Sequence, residues 1–246
     1  MNSAREILIS VVIKNKGEWQ KILADIQAKN VEEEPLATNQ SCLTLVDQDY
    51  PTSLKQGYQP PFVLFYEGDL SLFKAAHKIA IMGSKDSNPK LLDKLIDSKD
   101  TGSVYVLSGI SQLDKYVVDM PNVNKVIVVL PYAIDQMDEE IKDQVLSNGG
   151  LIITNVPNGI EPTKEGFAYQ NILISNVCDK MLILKCGNKS SILVSVMNML
   201  ELNKDIMIIP LPIEEEGYAN NQLIYQGAIH VYNQETYKDQ VYGVGN

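Results

Sequence analysis

Apolar residues fall along the chain in short unbroken runs, at 79–82, 104–107, 126–130, 151–153, 181–184 and 206–209. Unbroken runs of this length mark strands buried on both faces, because a strand with one wet face alternates instead. Between them, residues 90–96, 139–146, 172–177 and 191–202 carry helical spacing. Strands alternating with helices make parallel βαβ units, so the pattern predicts an α/β fold with a doubly wound, mostly parallel sheet. Upstream, 41–72 is rich in turns, with Tyr50-Pro51 and Pro60-Pro61 bracketing a loop and a short strand at 62–66 closed by Gly68-Asp69. The first 30 residues read as a strand or helix piece followed by a helix with Trp19, Ile22, Leu23 and Ile26 on one face. Glu32-Glu33-Glu34 and Pro35 end that helix, and the acids read as a solvated linker. The expected layout is a short N-terminal appendage at 1–38, a main domain at 39–235 and a C-terminal tail at 236–246.

Composition narrows the function classes. The 246 residues are 45% hydrophobic and 21% charged, enough to bury a core and too apolar for disorder. No apolar run nears the roughly 20 residues of a membrane span. The stretch 7–13 lacks a cleavage site and runs into charged residues, so no signal peptide is read and a cytoplasmic protein is expected. Acids outnumber bases 31 to 21, for a net charge of −10, and Arg5 is the lone arginine. Strong, sequence-independent phosphate binding is therefore disfavoured unless lysines cluster. Cys42, Cys178 and Cys186 form no C-x-x-C pair and read as free thiols of a reducing compartment. His77 and His230 are too few for a zinc site or a His-based triad. Asp138-Glu139-Glu140 opens a helix, where acids complement the dipole, and is not read as an acid/base pair.

A doubly wound sheet binds ligands beyond the carboxyl ends of its strands. Those positions hold Gly83-Ser84-Lys85, Ser108-Gly109-Ile110-Ser111, Thr154-Asn155 and Gly187-Asn188-Lys189-Ser190-Ser191. Small residues let backbone N–H groups approach an anion, and a helix N-terminus adds its dipole. Ser190 is placed to cap the helix that follows, and Lys85 and Lys189 could each meet a phosphate as a point charge. Ordinary turn and cap chemistry explains each loop taken alone. Two lysine-bearing loops on one edge together point to an anion site. No Walker A or G-x-G-x-x-G pattern is present, and Gly243-Val244-Gly245 stands at the C-terminus with no helix after it.

The order of these loops resembles the DprA/Smf family of bacterial DNA-processing proteins, from about Leu43 to about Ala228. Asp49-Tyr50-Pro51-x-x-Leu54 and Pro60-Pro61-x-x-Leu64-Phe65-Tyr66-x-Gly68-x-Leu70 are similar to the family's Tyr-Pro, Pro-Pro and Leu-Tyr-x-x-Gly lead-in. The run 79–82 with Gly83-Ser84-Lys85 resembles its apolar strand and Gly-Ser-Arg. Leu107-Ser108-Gly109-Ile110-x-x-Leu113-Asp114 resembles Ser-Gly-Leu-Ala-x-Gly-Ile-Asp, and Ala133-Ile134-Asp135 resembles Gly-Leu-Asp. Gly149-Gly150-Leu151-Ile152, continuing to Pro157-x-Gly159, resembles Gly-Gly-x-x-x-Ser-Glu-x-Pro-x-Gly. Phe167-x-x-Gln170-Asn171-Ile172 stands where the family has Phe-Pro-x-Arg-Asn-Arg. Lys189-Ser190-Ser191-Ile192-Leu193 resembles its Ser-Gly-Ser-Leu loop, and Asn221-x-Leu223-Ile224-x-x-Gly227-Ala228 matches Asn-x-Leu-Ile-x-x-Gly-Ala.

The resemblance implies an extended Rossmann-like fold and a cytoplasmic, usually homodimeric protein. Such a protein binds single-stranded DNA in a basic pocket at the strand ends and helps load a RecA-type recombinase in natural transformation. It implies no enzyme activity, and no cofactor, metal or catalytic residue is expected. Carried onto this chain, the DNA-binding residues are Gly83, Ser84, Lys85, Ser108, Gly109, Asp114, Asn171, Lys189, Ser190 and Ser191, with Lys115 as a further cation and Tyr169 as the one aromatic placed for stacking. The departures weaken phosphate contact. Lys85 replaces an arginine and loses its bidentate fork. Gln170 and Ile172 replace two more, Gln112 replaces a glycine, Val118 a histidine and Asn155 an acid. The chain ends 18 residues after Ala228, so the family's winged-helix tail is expected to be absent. Two readings stay open: a DNA-binding recombination mediator with weakened phosphate contacts, or a degenerate Rossmann-like scaffold for a nucleotide or a protein partner.

Overall fold

A computed structural model describes residues 3–32, 34–97, 102–109, 111–121, 123 and 125–243. Glu33, Ile110, Val244 and Gly245, named above, lie outside them. The strands are β1 (Cys42–Thr44), β2 (Val63–Gly68), β3 (His77–Met82), β4 (Ser103–Leu107), β5 (Val126–Val129), β6 (Leu151–Thr154), β7 (Lys180–Ile183), β8 (Asp205–Ile208) and β9 (Ile229–His230). They form one sheet in the order β1-β2-β6-β5-β4-β3-β7-β8-β9. Strands β3 to β9 pair in parallel, and β1 and β2 add an antiparallel edge beside β6. The doubly wound, mostly parallel α/β sheet is thus present.

The unbroken apolar runs are explained by two cores, one on each face. Ala80, Met82, Val104, Val106, Ile127 and Val129 enter one cluster, while Ile79, Ile81, Tyr105, Leu107, Val126 and Val128 enter the other. The first face carries α3 (Thr52–Lys55), α6 (Lys164–Val177), α7 (Ile192–Glu201) and α8 (Asn220–Tyr225). The second carries α4 (Gln112–Asp119), α5 (Glu139–Ser147) and α9 (Gln234–Tyr242). The helical spacing at 90–96 corresponds to a shorter 3-10 turn, Pro89–Lys94, opened by the Asn88 side chain accepting from Lys90 N. Helix α9 overlaps the expected tail at 236–246. Its cap, Asn233, accepts from Thr236 N, and Tyr237 and Val241 are buried in the second core. Residues through Tyr242 therefore belong to the folded body.

The open choice for the first 30 residues resolves as two helices, α1 (Ala4–Lys14) and α2 (Trp19–Gln27). Ser3 and Glu6 form a reciprocal capping box at the start of α1. Val11, Val12 and Ile22 pack with Cys42, Val63 and Phe65, so the hairpin covers the antiparallel edge of the sheet. Gly17 turns the chain between the helices at φ +78°, and a Cβ there would lie 2.7 Å from the Asn155 carbonyl oxygen. Both constraints require glycine. No described helix is long and apolar enough to cross a membrane.

The carboxyl end of α6 illustrates how backbone groups are satisfied. Lys204 Nζ donates to the carbonyls of Ser175, Asn176 and Cys178 at 2.7, 3.0 and 2.6 Å. A cation suits this end of the dipole and completes orphan carbonyls. Burial of the ammonium pulls its pKa below the ordinary lysine value. Lys204→Met keeps the aliphatic stem and removes the donor. It is expected to cost about 2 kcal/mol of stability in denaturant titration; a loss under about 0.5 kcal/mol would show the cap to be immaterial.

Candidate nucleic-acid interface

Strand β3 lies between β4 and β7, and the chain leaves it toward β4, later returning to β7 on the other side. Connections after β3 and β7 therefore diverge, which opens a crevice at the carboxyl ends. A cleft of about 190 Å³ lies there, lined by Gly83, Ser108, Ser111, Asp114, Phe167, Gln170, Asn171, Ser190, Ser191 and the apolar residues beneath them. Of the ten sequence candidates, Gly83, Ser108, Asp114, Asn171, Ser190 and Ser191 line this cleft. Ser84 and Lys85 follow Gly83 in the loop after β3, and Lys189 lies in the turn before α7. Gly109 lines a neighbouring cavity of about 260 Å³ with Lys115 and Tyr132.

The floor of the cleft is set by Asp114. Its carboxylate accepts Ser108 N at 3.2 Å, Ser108 Oγ at 2.5 Å, Ser111 N at 2.9 Å and Ser111 Oγ at 2.6 Å. Ser111 Oγ in turn accepts Asp114 N, forming the capping box of α4. Asp114 thus shapes the loop after β4, and the two hydroxyls point to it. Gly109 sits in the same loop at φ +72°, where a Cβ would come within 2.4 Å of Val128. Its glycine identity follows from packing and backbone conformation.

Asn171 is held on α6 by donating to Phe167 O at 2.9 Å and accepting from Ser195 Oγ at 3.1 Å on α7. Ser190 Oγ accepts Ile192 N in the first turn of α7 at 3.2 Å. Ser84 N donates to Lys185 O, tying the loop after β3 to the end of β7. Lys85, Lys115, Lys164 and Lys189 are exposed, and none has an ion-pairing partner among the described residues. Their ammonium groups are therefore available to a polyanion.

Two assignments change with the fold in view. Tyr169 is buried, and its hydroxyl donates to Gln59 O at 2.6 Å. Burial pushes its phenol well above the ordinary tyrosine pKa. Phe167, 39% exposed, is the aromatic that lines the cleft among the described residues. The sequence signal for it was its place two residues before Tyr169 on α6, which turns it to a different face of the helix. Lys164 stands exposed at the first position of the same helix, three residues before Phe167.

The departures from the family pattern also have local causes. Gln170 donates from Nε2 to Ser108 O at 2.8 Å and Val129 O at 2.6 Å, bracing the ends of β4 and β5 from below the cleft. Ile172 faces the other flank of α6, where it lines an apolar groove with Trp19 and Tyr169. Asn155 donates to Gly17 O at 2.8 Å and anchors the N-terminal hairpin. Val118 is buried in the second core, and Gln112 is exposed at the first position of α4. Among the described residues no group of three or more His, Cys, Asp or Glu side chains is placed to hold a metal ion.

The geometry can be set beside known proteins. The chain is 26% identical over 197 residues to the DNA processing protein DprA of Streptococcus pneumoniae, covering 75% of this chain and 68% of that one. It is 23% identical over 249 residues to the DNA processing protein DprA of Bacillus subtilis, covering 94% and 80%. To the Smf protein of Synechocystis it is 25% identical over 210 residues, covering 80% and 52%. The chain thus spans between about half and four-fifths of the length of these relatives. Among solved structures, DprA from S. pneumoniae superposes with a TM-score of 0.79 at 20% identity over 98% of this chain and 99% of that one. DprA from Helicobacter pylori, solved in work on its single-stranded DNA binding mode, superposes with a TM-score of 0.71 at 22% identity over 83% and 97%. At these identities the two structures bear on the fold, which they share with this chain. A family model described as DNA recombination-mediator protein A matches residues 41–241, most of the chain and all of the cleft, and the chain belongs to that family.

Proposed function

We propose that this chain binds single-stranded DNA in the cleft at the carboxyl ends of β3, β4 and β7. In this reading it acts as a homodimeric recombination mediator that passes strands to a RecA-type recombinase. The observation that supports it is the lining: Gly83, Ser108, Asn171 and Ser190, from four separate segments, meet in one cleft walled by exposed Phe167, and Lys85 and Lys189 stand exposed in the loops that supply Gly83 and Ser190. The lysines supply point charges for phosphates, and the phenyl ring supplies a stacking face. The H. pylori relative of the same fold, solved in work on its single-stranded DNA binding, supports this reading.

The contacts are weaker than those of an arginine-lined pocket. Gln170 is neutral and engaged with backbone, and Lys85 lacks a bidentate fork. The same lack of cationic side chains in the cleft lining favours the second reading, a scaffold for a nucleotide or protein partner. Fluorescence anisotropy of labelled oligo-dT, at 20 mM and 150 mM salt, separates the two. Two phosphate contacts through Lys85 and Lys189 predict a salt slope of about −1.4, falling by about 0.7 in Lys85→Ala. Binding that is salt-insensitive, or unchanged in Lys85→Ala, would place DNA elsewhere. No binding at 20 mM would turn the search to the scaffold reading.

A further inference from the structure

Lys185 lies two residues past the end of β7, where its carbonyl accepts Ser84 N of the loop after β3, and its environment is unlike that of the exposed Lys85 and Lys189. Its Nζ lies 2.9 Å from Asp86 Oδ2 and 3.0 Å from Glu215 Oε2. It also stands 4.0 Å from the centre of the Tyr218 ring. The Tyr218 hydroxyl donates to Asp86, and Ser84 Oγ donates to the same carboxylate at 2.8 Å. Asp86 and Tyr218 are thus braced by several contacts, whereas Glu215 contributes a single one. The carboxylates hold the Lys185 pKa above its ordinary value, Asp86 foremost.

Glu215 arrives from an exposed segment of turns, held within itself by Glu215 N donating to Pro212 O and Glu216 N to Glu214 O, both at 3.0 Å. At one end Asn221 brackets Leu211, accepting its N–H at 3.1 Å and donating to its carbonyl at 2.8 Å. At the other, Ala219 N donates to Cys186 O and Asn188 N donates to Gly217 O. Residues 212–217 between these anchors are exposed and carry Glu214, Glu215 and Glu216.

We propose that Lys185 is a further phosphate-binding cation of the cleft, covered by the Glu215 carboxylate, so that the 212–217 segment acts as a latch that an incoming strand must displace. Two carboxylates face one ammonium, so exchanging Glu215 for a singly charged phosphodiester leaves the local charge unchanged. Its cost is chiefly that of moving an exposed segment between fixed ends. Asp86 and Tyr218 keep the ammonium aimed while the exchange takes place. This inference rests on the DNA-binding reading above and adds to it a cation and a gate.

The test is oligo-dT anisotropy at 20 mM and 150 mM salt with wild type, Glu215→Gln, Lys185→Gln and the double variant, and with Lys85→Ala as an independent probe of the cleft. Glu215→Gln is isosteric and exposed. It is expected to tighten binding about fivefold at 20 mM salt and to steepen the salt slope by about 0.7, the value of one single-strand phosphate contact. That gain is expected to vanish in the double variant and to persist when Lys185→Arg replaces Lys185→Gln, which also covers the case in which Lys185→Gln fails to fold. If wild type binds and Lys85→Ala weakens it, yet Glu215→Gln changes nothing, the latch is overturned and the cleft reading stands. An equal gain with and without Lys185 shows a general charge effect and also overturns it. Binding seen only after Glu215→Gln supports the latch. No binding by wild type or Glu215→Gln at 20 mM salt overturns both.

Discussion

Asp114→Ala is expected to lower stability by about 3 kcal/mol, because it strips the partner from donors on Ser108 and Ser111 at once. Asp114 is 3% exposed, so water does not reach those groups freely once the carboxylate is gone. The substitution also removes half of the capping box that starts α4, which alone contributes about 1 kcal/mol. For a domain of this size the melting temperature should fall by roughly 6–12 °C. Asp114→Asn is informative beside it. One amide oxygen can still accept Ser108 N, but the amide nitrogen would face the hydroxyls of Ser108 and Ser111 and Ser111 N. Asn should therefore recover less than half of the loss. If Asn restores full stability, the carboxylate's charge and second oxygen are not what order the loop. Since the loop after β4 forms the cleft floor, oligo-dT affinity should fall in both variants in step with the stability loss.

Asn220→Ala is expected to cost about 3 kcal/mol by a different route. Asn220 is fully buried at the start of α8. Its Oδ1 accepts Cys186 N at 2.8 Å, and its Nδ2 donates to Leu184 O at 3.1 Å and Ile209 O at 2.8 Å. One amide therefore joins the carboxyl ends of β7 and β8, where the acidic segment is rooted. Alanine leaves a buried N–H and two buried carbonyls short of a partner. Asn220→Asp keeps the acceptor but sets a carboxylate against those carbonyls, so it should be at least as damaging as alanine. Denaturant titration of the two variants checks this. A loss under about 1 kcal/mol in both would mean that water replaces the amide without penalty.

The family motif was matched through Asn221, its neighbour. Asn221 brackets Leu211 at the surface, while Asn220 is the buried tie. Adjacent residues of the same type differ in role because α8 turns them about 100° apart. A linear pattern does not carry that angle. The same holds for Phe167 and Tyr169 on α6, one exposed on the cleft wall and one buried with its hydroxyl on Gln59.

The departures from the family pattern take on a structural meaning. Gln170, Asn155 and Ile172 replace charged family residues, and each has an assigned place: bracing strand ends, anchoring the N-terminal hairpin and facing a separate groove. Loss of cationic side chains from the cleft thus goes with neutral side chains that hold the backbone around it. Exposed Lys85 and Lys189, in the loops after β3 and β7, remain its available charge.

By itself the sequence determined the sheet. Unbroken apolar runs can be satisfied only by strands covered on both faces, so the fold class and the positions of the buried strands were legible. Local chemistry also determined the capped starts of helices, since a cap and its partner lie three residues apart. Long-range geometry decided the rest. The two-residue pairing of β9, the burial of α9 and the packing of α1 and α2 on the antiparallel edge depend on partners far along the chain. So does the meeting of Lys185 with Asp86, Tyr218 and Glu215, which are separated by as many as 132 residues. Such contacts are stable only once the sheet has brought strand ends together, and no local spacing records them.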